Sequence, residues 1–181
     1  MHGTENPSTW LQRWAHLIAP GSRVLDVACG AGRHMRWLAA QGHTVSGVDR
    51  NPDAVALAQS FGEVTCADIE NGPWPFTGQT FGCVVVTNYL WRALLPTVVQ
   101  AVAPGGVLIY ETFAAGNETV GKPSRPDFLL QPGELLRTIE GLRVVAYEDG
   151  FEASPDRFVQ RIAAVRPLSA SDAVRWPLQA N

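Results

Sequence analysis

Residues 24–33 constrain the chain most, reading Val-Leu-Asp-Val-Ala-Cys-Gly-Ala-Gly-Arg. A short apolar run that stops at a glycine-rich turn and passes into helical spacing, here over residues 33–41, is how a buried parallel strand hands over to a nucleotide-binding helix. Gly30 and Gly32 admit backbone angles closed to other residues and let a ligand lie against the main chain. The N-terminus of the following helix offers unpaired N–H groups, with Arg33 and His34 in its first turn. An anionic or nucleotide-like ligand is expected there.

The details of the turn narrow the choice of nucleotide. A dinucleotide fingerprint needs Gly-x-Gly-x-x-Gly, and the third position here is Met35, too bulky for the close helix–strand approach that glycine permits. Asp26 is a second departure: a carboxylate inside a buried strand is costly unless bonded, so it is expected to tie down turn amides or to reach a ligand ammonium group. The pattern Asp-x-x-Cys-Gly-x-Gly resembles motif I of class I S-adenosylmethionine-dependent methyltransferases, with Ala28 where that family often has glycine. The Cys-Gly-Ala-Gly-Arg-His turn and the short chain are most similar to the small bacterial tellurite-resistance and thiopurine-type methyltransferases.

The chain then alternates predicted strands and helices. Strands are expected at residues 24–27, 44–48, 63–67, 83–87, 107–110, 142–147 and 157–165, with a turn at 152–156 making the last two a hairpin. The pattern argues for an α/β domain: a Rossmann-like, doubly wound, mostly parallel seven-stranded sheet with one antiparallel edge strand and helices on both faces. A single domain over residues 1–170 is expected, with a helix at about 8–19 whose Trp10, Leu11 and Trp14 read as core packing. The resemblance implies that this helix covers the cofactor. Residues 1–7 are expected to be loose and 171–181 a flexible tail, with Trp176 a candidate anchor.

Asp49 ends the second strand nineteen positions after Gly30, near the distance at which an acidic residue reaches ribose hydroxyls. Asn51 and Pro52 already start the next helix well, as cap and first helical residue, so Asp49 is expected to be free for a ligand, with Arg50 beside it. The resemblance implies that Asp68 meets the adenine amino group and Ile69 the ring, although Asp68 before Asn71-Gly72-Pro73 is equally a turn former. It also implies that backbone at Asn88 holds the methionine ammonium, and that Ala28 and Cys29 belong to the cofactor turn. Leu90 and Trp91 break the pattern of amino-methylating enzymes that act on DNA or glutamine.

Acceptor recognition is expected at Tyr89 and Trp91 as apolar walls, and in a long irregular stretch at residues 114–131, where Asn117, Lys122 and Arg125 are placed to meet an anionic acceptor. His34, Tyr89 and Glu111 are candidate bases, no one of them assigned as catalytic. His34 alternatively contacts the cofactor carboxylate with Arg33, or is a packing histidine. A net charge of −3 lacks the broad basic surface of a sequence-independent nucleic-acid binder, and 17% charged residues favour small-molecule work. No run approaches a membrane span, no basic leader precedes an apolar stretch, the three cysteines read as reduced thiols, and no residue set has metal spacing. A cytoplasmic, monomeric or homodimeric methyltransferase with a small-molecule acceptor and no metal is the resulting expectation. Two alternatives stay open: a non-catalytic S-adenosylmethionine-binding module, and a nicotinamide-dependent oxidoreductase, against which Met35, Asp26 and the lack of a Tyr-x-x-x-Lys pair count.

Overall fold

The computed structural model describes residues 6–168 and 175–179. The expectations for loose termini fall mostly on residues 1–5, 169–174 and 180–181, outside the described residues. Seven strands, β1 (Arg23–Val27), β2 (Thr44–Asp49), β3 (Glu63–Cys66), β4 (Phe81–Thr87), β5 (Val102–Phe113), β6 (Arg143–Glu152) and β7 (Arg157–Val165), form one sheet in the order β3-β2-β1-β4-β5-β7-β6. The pairings β1–β2, β1–β4, β2–β3 and β4–β5 are parallel, whereas β7 is antiparallel to both neighbours. The expected antiparallel strand is therefore β7, seated between β5 and the edge strand β6.

Neighbouring residues of the central strands enter different cores, which is why their sequences run apolar without alternation. Val24, Cys83, Val85, Val107 and Ile109 pack with helices α1 (Thr9–Trp14), α2 (Arg33–Ala40) and α3 (Pro52–Ala58) on one face. Leu25, Val84, Val86, Leu108 and Tyr110 pack on the other, with α4 (Leu95–Gln100) and α5 (Glu134–Thr138). Ser8 caps α1 by accepting from the amides of Trp10 and Leu11, and Asn51 caps α3 with Pro52 in its first turn. Trp10, Leu11 and Trp14 are buried, with the Trp10 indole donating to the Ile162 carbonyl at 3.1 Å, as the packing reading requires.

Some boundaries differ from the expected ones. The expected helix at 8–19 is one short α-helix followed by a 3-10 turn to Leu17. Strand β5 begins at Val102 because Pro104-Gly105-Gly106 is a register shift within the strand, where Gly105 donates to the Arg166 carbonyl at 2.8 Å and Arg166 to that of Gly106 at 2.9 Å. Trp176, in the expected tail, packs on the α1 face under the Arg143 guanidinium at 5.4 Å, and His16 Nε2 meets the Pro177 carbonyl at 2.9 Å.

Strand order reverses between β1 and β4, and in open α/β sheets the crevice beyond the strand C-termini at that point is where ligands bind. Both strands end in a non-glycine residue with left-handed backbone, Ala28 (φ 54) and Asn88 (φ 53). Gly30 and Gly32 are left-handed too, with different surroundings: a Cβ at Gly30 meets nothing within 4 Å, whereas one at Gly32 meets Ala58 Cβ at 2.9 Å and Phe61 at 3.1 Å. Gly32 lets α2 sit against α3. Gly32→Ala is therefore expected to cost about 2–4 kcal/mol, combining backbone strain and overpacking, and Gly30→Ala only about 1–2 kcal/mol. Urea unfolding of the two variants checks the order, and equal losses would contradict it.

Candidate active site

Two adjoining cavities, of about 510 and 670 Å³, open over the carboxyl ends of the central strands. Ala28, Asn88, Phe113 and Lys122 line both and form the waist between them. The first lobe reaches the ends of β2 and β3, with Asp49, Arg50, Asp68, Ile69 and Tyr89 in its wall. The second reaches the start of α2 and the β6–β7 turn, with Gly30, Arg33, His34, Glu111 and Arg157.

Asp49 is not free in the sense expected. One carboxylate oxygen accepts from the Gly30 amide at 2.8 Å and the other from the Asn51 amide at 2.9 Å, so the side chain clips the β1 turn to the end of β2. Each carboxylate oxygen has a second lone pair, and Asp49 borders the first lobe, so it can also accept from a ribose diol. Asp68 is a turn former as well as a wall residue: it accepts from the Glu70 and Asn71 amides at 3.0 and 3.2 Å and from the Asn71 side chain at 2.9 Å. The Asn71 side-chain bond leads in holding its carboxyl below the ordinary range. Arg50 is exposed and lies 3.8 Å from Glu70. Ile69 is buried under the lobe. The Cys29 side chain turns into the core, where burial, helped by the charges of Asp26 and Asp49, pushes its thiol up.

Asp26 does not tie down the turn. It is 1% exposed, and among the described residues neither carboxylate oxygen has a hydrogen-bond partner. His34, 2% exposed, brings Nδ1 to 3.6 Å from Asp26 and 3.4 Å from the Thr87 hydroxyl, while its Nε2 has no partner. Buried unpaired polar atoms each cost about 1–3 kcal/mol, so a cluster of them beneath a cavity marks where a polar ligand completes the structure. Asp26 itself is covered and lines neither lobe. His34 Nε2 is covered by protein, so the ring is a floor residue and not a base in contact with an acceptor. Burial lowers the Arg33 guanidinium below its usual value, Asp26 and Glu111 oppose that shift, and Arg157 adds to it.

Glu111 is buried in an ion network. One oxygen accepts from Ser8 Oγ at 3.1 Å, the other from Arg161 at 3.1 Å, and Arg157 stands 3.7 Å away. Both oxygens of this carboxylate are committed to protein partners, so its role is structural. Ser8 thereby joins the start of α1 to β5.

Several expected acceptor residues lie elsewhere. Trp91 packs against the core on the α4 face and lines neither lobe. Arg125 is 70% exposed and turned to Asp127 at 2.9 Å, and to the Phe128 ring. Asn117 does border the second lobe, but its amide is used within the protein, donating to the Pro123 carbonyl at 2.9 Å and accepting from the Phe158 amide at 3.1 Å. Tyr89 borders the first lobe, its phenol beside Glu70, and burial with that neighbouring charge pushes its pKa up. Lys122 is where expected, bordering both lobes. The missed residues are Ser8, Thr87 and Arg157, each acting through a distant partner.

Residues 24–106, from β1 into β5, match the family model for a Methyltransferase domain. Over most of the chain, 2-heptyl-1-hydroxyquinolin-4(1H)-one methyltransferase of Mycobacteroides abscessus is similar, 30% identical over 185 residues, covering 87% of this chain and 78% of that protein. Thiopurine S-methyltransferase of Pseudomonas putida is 37% identical over 70 residues, 27% of this chain and 32% of that protein. TehB from Haemophilus influenzae shares the fold with a TM-score of 0.67 at 18% identity, covering 84% of this chain and 59% of that one. The chain belongs to the class I S-adenosylmethionine-dependent methyltransferases, with S-adenosylmethionine as cofactor and S-adenosylhomocysteine as product.

The ion network makes a prediction about acid stability. Burial alone would raise the Glu152 pKa, but its hydrogen bond and ion pair with Arg157, with Arg161 adding, outweigh that and hold it below its ordinary value of 4.5. A depressed carboxylate contributes stability that is fully present above the unfolded value and lost as pH falls through the folded one. The urea midpoint is expected to fall more steeply below about pH 4.5 in the native protein than in Glu152→Gln. Parallel curves would contradict the role given to this pair.

Proposed function

We propose that the enzyme methylates a small-molecule acceptor, with the adenosine of the cofactor in the first lobe, its methionine end over the Gly30 turn, and the acceptor in the second lobe at the waist. The observation that carries this reading is the buried, unpaired Asp26 carboxylate beneath the open Gly30 turn, at the point where strand order reverses. In this assignment Asp49 accepts from the ribose hydroxyls, Asp68 and Ile69 border the adenine, and Arg33 meets the methionine carboxylate, with His34 in the floor beneath it. The backbone at Asn88 takes the ammonium, with the buried Asp26 carboxylate beneath the turn. Tyr89, which borders the first lobe beside Asp68 and Ile69, walls the adenine slot.

When bound, S-adenosylmethionine supplies a methyl group already activated by its sulfonium, so transfer chiefly requires an acceptor atom held in line at about 3–3.5 Å. The protein's part is positioning. The Asp49 clip and the left-handed Ala28 and Asn88 fix the floor of the waist, while the aromatic ring of Phe113 and the loop carrying Lys122 border it from β5 outward. A small acceptor accords with the second lobe, whose volume is in the usual range for small-ligand sites of about 300–1,000 Å³, and with the named substrate of the Mycobacteroides relative. The proposal includes a single functional domain over residues 1–170 and a cytoplasmic location, in keeping with three free cysteines.

S-adenosylhomocysteine at about 100 times its Kd is expected to stabilise the protein by about 2.7 kcal/mol, and NAD at the same concentration by nothing measurable. Asp49→Ala is expected to weaken S-adenosylhomocysteine binding ten- to a hundredfold, corresponding to about 1.5–3 kcal/mol, and Asp68→Ala by less, in calorimetry. Stabilisation by NAD alone would overturn the assignment.

A further inference from the structure

Besides the turn after β1, the start of α2 and the end of β4, the second lobe is walled by segments outside the matched family segment of residues 24–106: the Pro7–Thr9 lip, the end of β5, the loop carrying Lys122, and the β6–β7 turn. Among these Arg157 stands out. Its side chain is only 18% exposed and it is aimed by two carboxylates, donating from Nε to Glu152 at 2.6 Å and lying 3.7 Å from Glu111. The carboxylates themselves are occupied. Glu111 spends its oxygens on Ser8 and Arg161, and Glu152 spends its own on Arg157 and Arg161. A guanidinium has five N–H donors; among the described residues the hydrogen bond of Arg157 is made through Nε, a terminal nitrogen stands 3.7 Å from Glu111, beyond hydrogen-bonding distance, and the residue borders the lobe. Lys122 adds a second cation from a separate element. The lobe is bordered by the cations Arg33, Lys122 and Arg157 and by three carboxylates, of which Glu111 and Glu152 are engaged as above and Asp156 is exposed.

Resting on the methyltransferase reading above, we propose that the acceptor carries an anionic group, a carboxylate or an ionised oxygen or sulfur, held between Arg157 and Lys122, and that the β6–β7 turn is the specificity wall. Charge-assisted bonds to a fork-shaped guanidinium select such groups over neutral isosteres. If the anion is itself the nucleophile, its new bond to the methyl carbon forms as the carbon–sulfur bond of the sulfonium breaks, both charges cancel, and no proton moves. If the anion is an anchor on a neutral amine acceptor, the amine proton leaves to water after transfer.

The test uses the full chain saturated with S-adenosylhomocysteine, titrated in a calorimeter with benzoate, benzamide and benzylamine. Benzoate is expected to bind at least tenfold more tightly than either neutral or cationic probe. Arg157→Gln should erase most of that preference, Arg157→Lys should restore part of it, and Lys122→Met should reduce it severalfold, with S-adenosylhomocysteine affinity unchanged in the two Arg157 variants. A merely structural Arg157 would lower stability without moving the benzoate preference. Methyl transfer to 4-nitrobenzenethiol and to 4-(methylamino)benzoate separates the anion as nucleophile from the anion as anchor, through which of the two shows a raised KM in Arg157→Gln. Benzamide or benzylamine binding as tightly as benzoate, no binding by any of the three, or a preference that survives Arg157→Gln overturns the acceptor class and leaves the methyltransferase intact. Failure of the native protein to bind S-adenosylhomocysteine overturns the reading beneath it.

Discussion

The Asp49 carboxylate holds the site together. It receives the Gly30 amide at 2.8 Å and the Asn51 amide at 2.9 Å, so one side chain fixes the turn after β1, the end of β2 and the approach to the Asn51 cap of α3. The turn is drawn onto β2 from a second direction by the Cys29 amide, which donates to the Val48 carbonyl at 3.0 Å. Helix α2 can follow so closely because of Gly47 on β2: a Cβ there would fall 2.7 Å from Met35 Sδ and 2.9 Å from Cys29 Sγ. The glycine missing from position 35 is made good by one on the facing strand. Removing bulk from either partner serves the same approach.

With that corner fixed, the two lobes differ in how they are built. The cofactor side depends on backbone: Gly30 bare to the cavity, Ala28 and Asn88 held left-handed, and Asp68 folding its own turn. Left-handed non-glycine residues cost of order 1–3 kcal/mol, and two of them flank the strand-order reversal, the place where such strain accompanies ligand binding in other folds. The acceptor side depends on charges instead, with Ser8, Glu111, Glu148, Glu152, Arg157 and Arg161 tying the start of α1 to the outer strands. Only Glu111 among these charged groups is fully buried, and removing a partner from a buried carboxylate costs more than the pair itself adds to stability. Backbone shape suits a cofactor common to many enzymes, and a particular array of charges suits one acceptor.

The glycine turn and the strand-end residues around the first lobe were legible in the sequence because their signals are local. Glycine spacing, a carboxylate at a strand end and a helix cap all act within a few residues of one another, and strand and helix periods place them at one sheet edge. The seven strands were legible for the same reason, down to the bounds of β7. The acceptor half was not. The role of Glu111 is set by Ser8, 103 residues away, and Arg161, 50 residues away, and Asn117 is committed to Phe158, 41 residues away. Trp91 and Arg125 sit in segments that pass near the cleft, yet the packing of Trp91 against the core and the pairing of Arg125 with Asp127 turn them from it. Asp26 was legible as a costly buried charge, but that the turn amides go to Asp49 and to the Cys29 carbonyl instead of to it is visible only in the structure.

The central claim is that one cofactor spans both lobes across the Ala28–Asn88 waist, and amide hydrogen exchange with and without S-adenosylhomocysteine tests it most directly. Protection is expected at Gly30, Ala31, Ile69 and Asn88 together, with no change in the separate cleft between α4 and α5 near Arg92 and Arg137. Protection confined to one lobe, or appearing at the α4–α5 cleft, would contradict the account.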